Sequence, residues 1–126
     1  MPGRILVVED HDDCREALVL LLQATGYEVD HAPTAVDGLR KVLEFHPDVA
    51  ILDIDLPGMD GYELAEAMRA QVSDLPLLIA TSGYGQRRDR ERATLAGFDA
   101  FLLKPWDLKD LEAILTARGS RKPGNA

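Results

Sequence analysis

Residues 48–61 read DVAILDIDLPGMDG, and this stretch decides the fold. The four residues 49–52 are uniformly apolar, the pattern of a parallel strand buried on both faces. The run ends at once on two carboxylates, Asp53 and Asp55, and then on the turn pair Pro57-Gly58. Asp53 is thereby placed at the carboxyl end of a central strand, where open α/β sheets hold their ligands. Asp60 follows as a helix N-cap, with Glu63 three residues on as its box partner. A carboxylate at such a strand end suits a metal ligand, a nucleophile or a cap, and the flanking sequence has to choose.

Upstream, residues 4–8 form another apolar strand, and it too ends on acids, Glu9-Asp10. Asp12-Asp13 suit a helix start, and Ala17, Leu18, Leu21 and Leu22 follow at helical spacing up to a stop at Gly26. Cys14 reads as a small buried residue of that helix. Residues 27–32 are half-polar, which places them on an edge strand. Thr34 caps the next helix, whose stripe is Val36, Leu39, Val42 and Leu43, and His46-Pro47 ends it. His11, His31 and His46 read as surface residues.

Downstream, a helix carrying Leu64, Ala67 and Met68 leads to a strand at residues 75–80 that ends on Thr81-Ser82. Gly83 and Gly85 loosen the loop after it. Residues 86–96 form a poorly amphipathic helix opening on the charge run QRRDRER, which reads as a solvated face. A fifth strand at residues 98–103 runs into Lys104-Pro105-Trp106. Asp107 then caps a last helix with Leu108, Leu111 and Leu115 turned inward. The expected domain covers residues 4–118, and residues 119–126, GSRKPGNA, read as a polar, disordered tail. Five strands alternating with five helices predict one α/β domain, a doubly wound parallel sheet with helices on both faces.

The totals narrow the function classes. A chain of 126 residues suits one core. Its net charge of −8 disfavours direct contact with nucleic acid or an anionic membrane. One cysteine leaves no disulfide framework and no cysteine-based metal site. The first apolar run, residues 5–8, is far too short for a signal peptide or a span, so the expected location is cytoplasmic.

In a parallel sheet the ends of strands one, three, four and five share one edge. That brings together Glu9, Asp10, Asp53, Thr81 and Lys104. Two carboxylates about 4 Å apart repel by roughly 4 kcal/mol at an effective dielectric near 20. Such a cluster calls for a divalent cation, a protonated member or the lysine as counter-ion. Oxygen-only donors favour Mg²⁺ or Ca²⁺, and Mg²⁺ is commonly held by one or two carboxylates plus a phosphate.

With VVED at strand one, LDIDLPGMDG at strand three, ATS at strand four and KP after strand five, the chain resembles the receiver domain of two-component response regulators, of the chemotaxis-receiver kind. The resemblance implies a flavodoxin-like strand order of 2-1-3-4-5. It implies that Asp53 takes a phosphoryl group from the phosphohistidine of a histidine kinase or phosphotransfer protein, with Mg²⁺ as cofactor. By the same resemblance Asp10 ligates the metal directly, Glu9 mainly through water, and Asp55 through its backbone carbonyl. Thr81 becomes the switch hydroxyl, Lys104 the partner of the acyl phosphate, and Phe101 the switch aromatic. Pro105 matches a proline that usually follows a cis peptide bond. The output face would be the fourth helix, fifth strand and fifth helix, open to a partner protein or a second copy.

Two alternatives stand beside this reading. DIDLP also resembles the first four positions of the nucleophile motif of haloacid-dehalogenase-like aspartyl phosphatases, but Pro57 breaks the fifth, and in that group the motif lies on the first strand. A flavodoxin would need a hydroxyl- and glycine-rich phosphate loop where this chain has EDHDD. Within the receiver reading, residues 80–108 also resemble receivers at the C-terminus of hybrid histidine kinases.

Overall fold

The computed structural model describes residues 3–83 and 87–121. Strands β1 (Arg4–Val8), β2 (Glu28–Ala32), β3 (Val49–Asp53), β4 (Leu77–Ser82) and β5 (Ala100–Leu103) alternate with five helices. These are α1 (Asp12–Ala24), α2 (Ala35–Phe45), α3 (Gly61–Gln71), α4 (Arg87–Ala96) and α5 (Leu108–Arg121). All strand pairs are parallel, in the order β2-β1-β3-β4-β5. The expected doubly wound sheet, with β2 on an edge, is the observed one.

The unbroken apolar strands are explained by the two faces they serve. Leu6, Val8, Ala50, Leu52, Leu78 and Ala80 point into one cluster, completed by Val42 of α2, Leu64 and Met68 of α3, and Ala93 and Ala96 of α4. Their neighbours Ile5, Val7, Val49, Ile51 and Ile79 point into a second cluster with Leu22 of α1 and Leu111 of α5. Period-two alternation thus feeds two cores at once.

Several boundaries differ from the sequence reading. β2 starts at Glu28 because the Tyr27 amide still donates to Leu22 O of the preceding helix. Pro76 has no amide to give a ladder, and β4 begins after it at Leu77. Thr81 and Ser82 lie inside β4, paired with Leu102 and Leu103. β5 starts at Ala100, since the Phe98 amide closes α4 on Ala93 O. α5 is helical to Arg121, beyond the expected tail start at residue 119. The expectations for Gly85 and Gln86 fall outside the described residues.

Helix faces needed the larger correction. On α1 the buried residues are Arg15, Val19 and Leu22, while Leu21 is 43% exposed. The run Leu18-Val19-Leu20-Leu21-Leu22 is apolar at every phase, so spacing alone fixes no face. Cys14 is exposed, contrary to the buried reading. On α2, Val42 is buried, whereas Val36 and Leu43 are exposed. The caps follow expectation: Thr34 Oγ1 accepts the Asp37 amide, and Asp60 with Glu63 forms a full capping box. Asp107 and Asp110 make a similar reciprocal pair at the start of α5.

The loop from β3 to α3 closes tightly on the strand end. Gly61 donates its amide to Ile54 O, and a Cβ built on Gly61 would lie 2.6 Å from both Asp53 O and the Ile54 Cα. Backbone atoms cannot swing aside as a side-chain tip can. Gly61→Ala is therefore expected to lower stability by about 1–3 kcal/mol, the usual range for overpacking, read from the urea midpoint. An unchanged midpoint would show that the loop has slack here.

Candidate functional site

β1 and β3 are adjacent, so Glu9 and Asp53 arrive side by side at the carboxyl edge. Both are buried, at 7% and 3% exposure, while Asp10 is exposed. Carboxylate oxygens of Glu9, Asp10 and Asp53 lie within 4.8 Å of one another. The Lys104 ammonium arrives from the end of β5 and donates to Glu9 Oε1 at 2.8 Å and to Asp53 Oδ2 at 3.1 Å. The Lys104 amide donates to Ser82 O at 2.8 Å, anchoring the base of that side chain. The following Lys104–Pro105 peptide bond is cis.

The remaining oxygens of the pair are held by backbone. Glu9 Oε2 accepts the His11 amide at 3.1 Å, and Asp53 Oδ1 accepts the Asp55 amide at 2.9 Å. The Asp55 carboxylate itself is turned to Ser82, accepting its hydroxyl at 2.9 Å. Thr81 is buried and sits opposite Asp53 in the β3–β4 register. Phe101 packs half-buried against the larger core cluster, with the Arg90 guanidinium 4.9 Å from its ring centroid. His11 is the N-cap of α1, its Nδ1 accepting the Cys14 amide at 3.3 Å. Trp106 is half-buried against the second cluster.

Charge state follows from these contacts. Burial pushes the Asp53 carboxyl up to about 6; the Asp55 amide and Lys104 oppose this, and the neighbouring Glu9 adds to it. Burial acts on Glu9 too, but the hydrogen bonds from Lys104 and the His11 amide outweigh it and hold its pKa below the usual value. Burial alone would lower Lys104; its two carboxylate partners raise it instead, so it stays protonated at neutral pH. Around pH 7 one ammonium thus faces three carboxylates. The excess of two negative charges and the all-oxygen donor set fit a divalent, hard cation such as Mg²⁺.

Some contacts went unnoticed in the sequence. Arg15 lies on the buried face of α1 and donates from Nη1 to Glu9 O at 2.9 Å. An arginine four residues before Val19 and seven before Leu22 was the signal available. Arg92 lies 4.1 Å from the Tyr62 ring centroid and 3.9 Å from Asp60 Oδ2, while Tyr62 Oη donates to Asp89 O of α4 at 3.3 Å. The start of α4 therefore leans on the loop that follows Asp53, and this part of the charge run is more than a solvated face.

Fold and site together define a flavodoxin-like α/β protein with an acidic, lysine-bridged cluster at the carboxyl edge of its sheet. The family model described as response regulator receiver domain matches residues 5–116, and the chain belongs to that family. It is 38% identical over 121 residues to the two-component response regulator PhoP of Pseudomonas aeruginosa, covering 96% of this chain and 53% of that protein. It is also 38% identical over 112 residues to the sensor protein EvgS of Escherichia coli, covering 89% of this chain and 9% of that protein. Among solved structures, a CheY-like response regulator receiver domain protein from Methanospirillum hungatei is 30% identical, with a TM-score of 0.85 and full coverage of both chains. The chain spans about half the length of the curated response regulators it matches. Membership confirms the receiver resemblance and sets aside the phosphatase alternative. Among the described residues no helix is long and apolar enough to cross a membrane.

A folded-state pKa raised above the unfolded 3.8 means that folded protein binds the Asp53 proton more tightly. Stability is then lost as pH rises from about 4 through about 6, and it stays lost above. In chelator, Asp53→Asn is expected to be more stable than the parent at pH 7.5 by about 1–3 kcal/mol. The gap should close toward pH 3.5. Denaturant midpoints across that range measure it, and a less stable variant at pH 7.5 would show that the carboxylates are not in conflict.

Proposed function

We propose that Asp53 is the phosphoacceptor of a two-component phosphorelay, taking its phosphoryl group from the phosphohistidine of a histidine kinase or phosphotransfer protein. The observation that carries this reading is the buried Asp53 carboxylate at a strand end, with the Lys104 ammonium at 3.1 Å and two further carboxylates within 4.8 Å. An Asp53 oxygen bonds to phosphorus as the P–N bond of the donor breaks, and the imidazole leaves with that electron pair and is protonated from solvent. Glu9, Asp10 and Asp53, with the Asp55 backbone carbonyl, would hold Mg²⁺; when bound, the ion neutralises phosphoryl oxygens in the transition state.

Lys104 changes partner in this scheme. At rest it neutralises Glu9 and Asp53; after transfer it pairs with the acyl phosphate. The Thr81 hydroxyl turns toward the same oxygens, and Phe101 moves into the space it leaves. Burying a phenylalanine ring costs no hydroxyl desolvation, so the two states lie within a few kcal/mol of each other. Output then passes through α4, β5 and α5 to a partner protein or a second copy. The chain acts as a cytoplasmic phosphoacceptor that catalyses its own phosphorylation and dephosphorylation, not as a turnover enzyme on small substrates. It makes no direct contact with nucleic acid.

Acetyl phosphate with Mg²⁺ tests the acceptor by intact mass. One phosphoryl adduct is expected on the parent chain, absent in chelator and absent in Asp53→Asn. An adduct formed by Asp53→Asn at the parental level would move the acceptor elsewhere. Lys104→Arg should remain folded yet be phosphorylated at least about 10-fold more slowly, since a wide planar fork replaces a compact point charge. Parental rates and an unchanged conformational response in that variant would leave Lys104 with no part in the chemistry.

A further inference from the structure

We infer that Arg15 is a positioning residue for the cation site, acting through the backbone of Glu9. The inference rests on the Mg²⁺ reading above. Arg15 is only 8% exposed, on the first turn of α1. Its Nη1 donates to Glu9 O at 2.9 Å, and its Nη2 pairs with Asp12 Oδ1 at 2.6 Å. Among the described residues its buried Nε has no partner. An orphaned buried donor carries a real cost, and a helix stem needing only apolar cover would be better served by leucine or methionine.

The place it holds explains the cost. Between β1 and α1 run Glu9, Asp10 and His11, and this short link carries two of the three clustered carboxylates. The Glu9 amide is fixed by Ala32 O at 3.1 Å. Its carbonyl oxygen is taken by Arg15. With the peptide groups before and after Glu9 both tied, its carboxylate is held where the His11 amide and Lys104 meet it, and the adjoining Asp10 is presented to the same point. The Asp12 pairing fixes the guanidinium plane from the helix side. Outer partners that orient ligands in this way typically change metal affinity by about 10–100-fold when removed.

The sign of the effect separates this role from plain electrostatics. Removing a positive charge beside an acidic cluster should tighten cation binding; removing a positioning group should weaken it. Mg²⁺ titrations followed by the amide shifts of residues 9–11 and 53–55 read the difference without any phosphoryl transfer. Arg15→Met, which keeps the apolar stem, is expected to bind Mg²⁺ about 10-fold more weakly. Arg15→Lys keeps the charge but not the fork and should lose at least about 3-fold. Val19→Ala, on the same buried face of α1, should lose stability with Mg²⁺ affinity unchanged. Equal or tighter Mg²⁺ binding in Arg15→Met overturns the inference, as does an equal loss of affinity in Val19→Ala. If Arg15→Met does not fold, Arg15→Lys decides: weaker binding supports the inference and parental binding overturns it. A parent chain whose Mg²⁺ shifts survive Asp53→Asn and Asp10→Asn unchanged would instead remove the cation reading itself.

Discussion

The Lys104 ammonium is the contact on which the site depends. It donates at once to Glu9 and Asp53, whose strands β1 and β3 lie next to each other, while Lys104 itself comes from the end of β5 at the sheet's edge. Two carboxylates buried side by side would otherwise repel by several kcal/mol or share a proton. With one ammonium between them the pair stays ionised near neutral pH, Glu9 firmly and Asp53 only just. The result is an Asp53 carboxylate that is charged near neutral pH but held there by Lys104 against its burial and its neighbour Glu9.

The rest of the fold serves to hold that arrangement at the sheet edge. Two apolar clusters clamp the central strands from both sides, so the strand ends have little freedom. Backbone amides of His11 and Asp55 occupy the remaining carboxylate oxygens, and Arg15 fixes the Glu9 carbonyl. The neighbourhood of Asp53 is also tied to α4. Arg92 bridges to Tyr62 and Asp60, and Arg69 of α3 donates to Ala96 O at the far end of α4. The β3–α3 loop and α3 are therefore in direct contact with α4.

Strand-level features were legible in the sequence because they follow from short apolar runs that end on polar residues. VAILD, RILVV and LLIATS each give a buried strand, and their ends gave the convergence of Glu9, Asp10, Asp53 and Thr81 directly. Helix faces were not legible to the same degree. The LVLLL run of α1 has no unique apolar phase, and the true face includes Arg15, which no hydrophobic pattern selects. Cys14 was misplaced for the same reason. The Ser82–Asp55 and Arg92–Tyr62 contacts join residues 27 and 30 positions apart, and only the packed fold brings them together. Strand limits shifted by one or two residues wherever a helix-closing hydrogen bond or Pro76 delayed the ladder.

One lysine keeps two buried carboxylates together, and Asp53 is left with a pKa of about 6. Carboxyl-carbon NMR titration of the Mg²⁺-free chain tests it most directly, read as the stepwise ionisation of a coupled pair. The predicted result is a step near pH 6 carried mainly by Asp53, a step for Glu9 below its ordinary 4.5, and a downward move of the Asp53 step when Mg²⁺ is added. Independent titration of both carboxyls at ordinary values, unmoved by Mg²⁺, would contradict it.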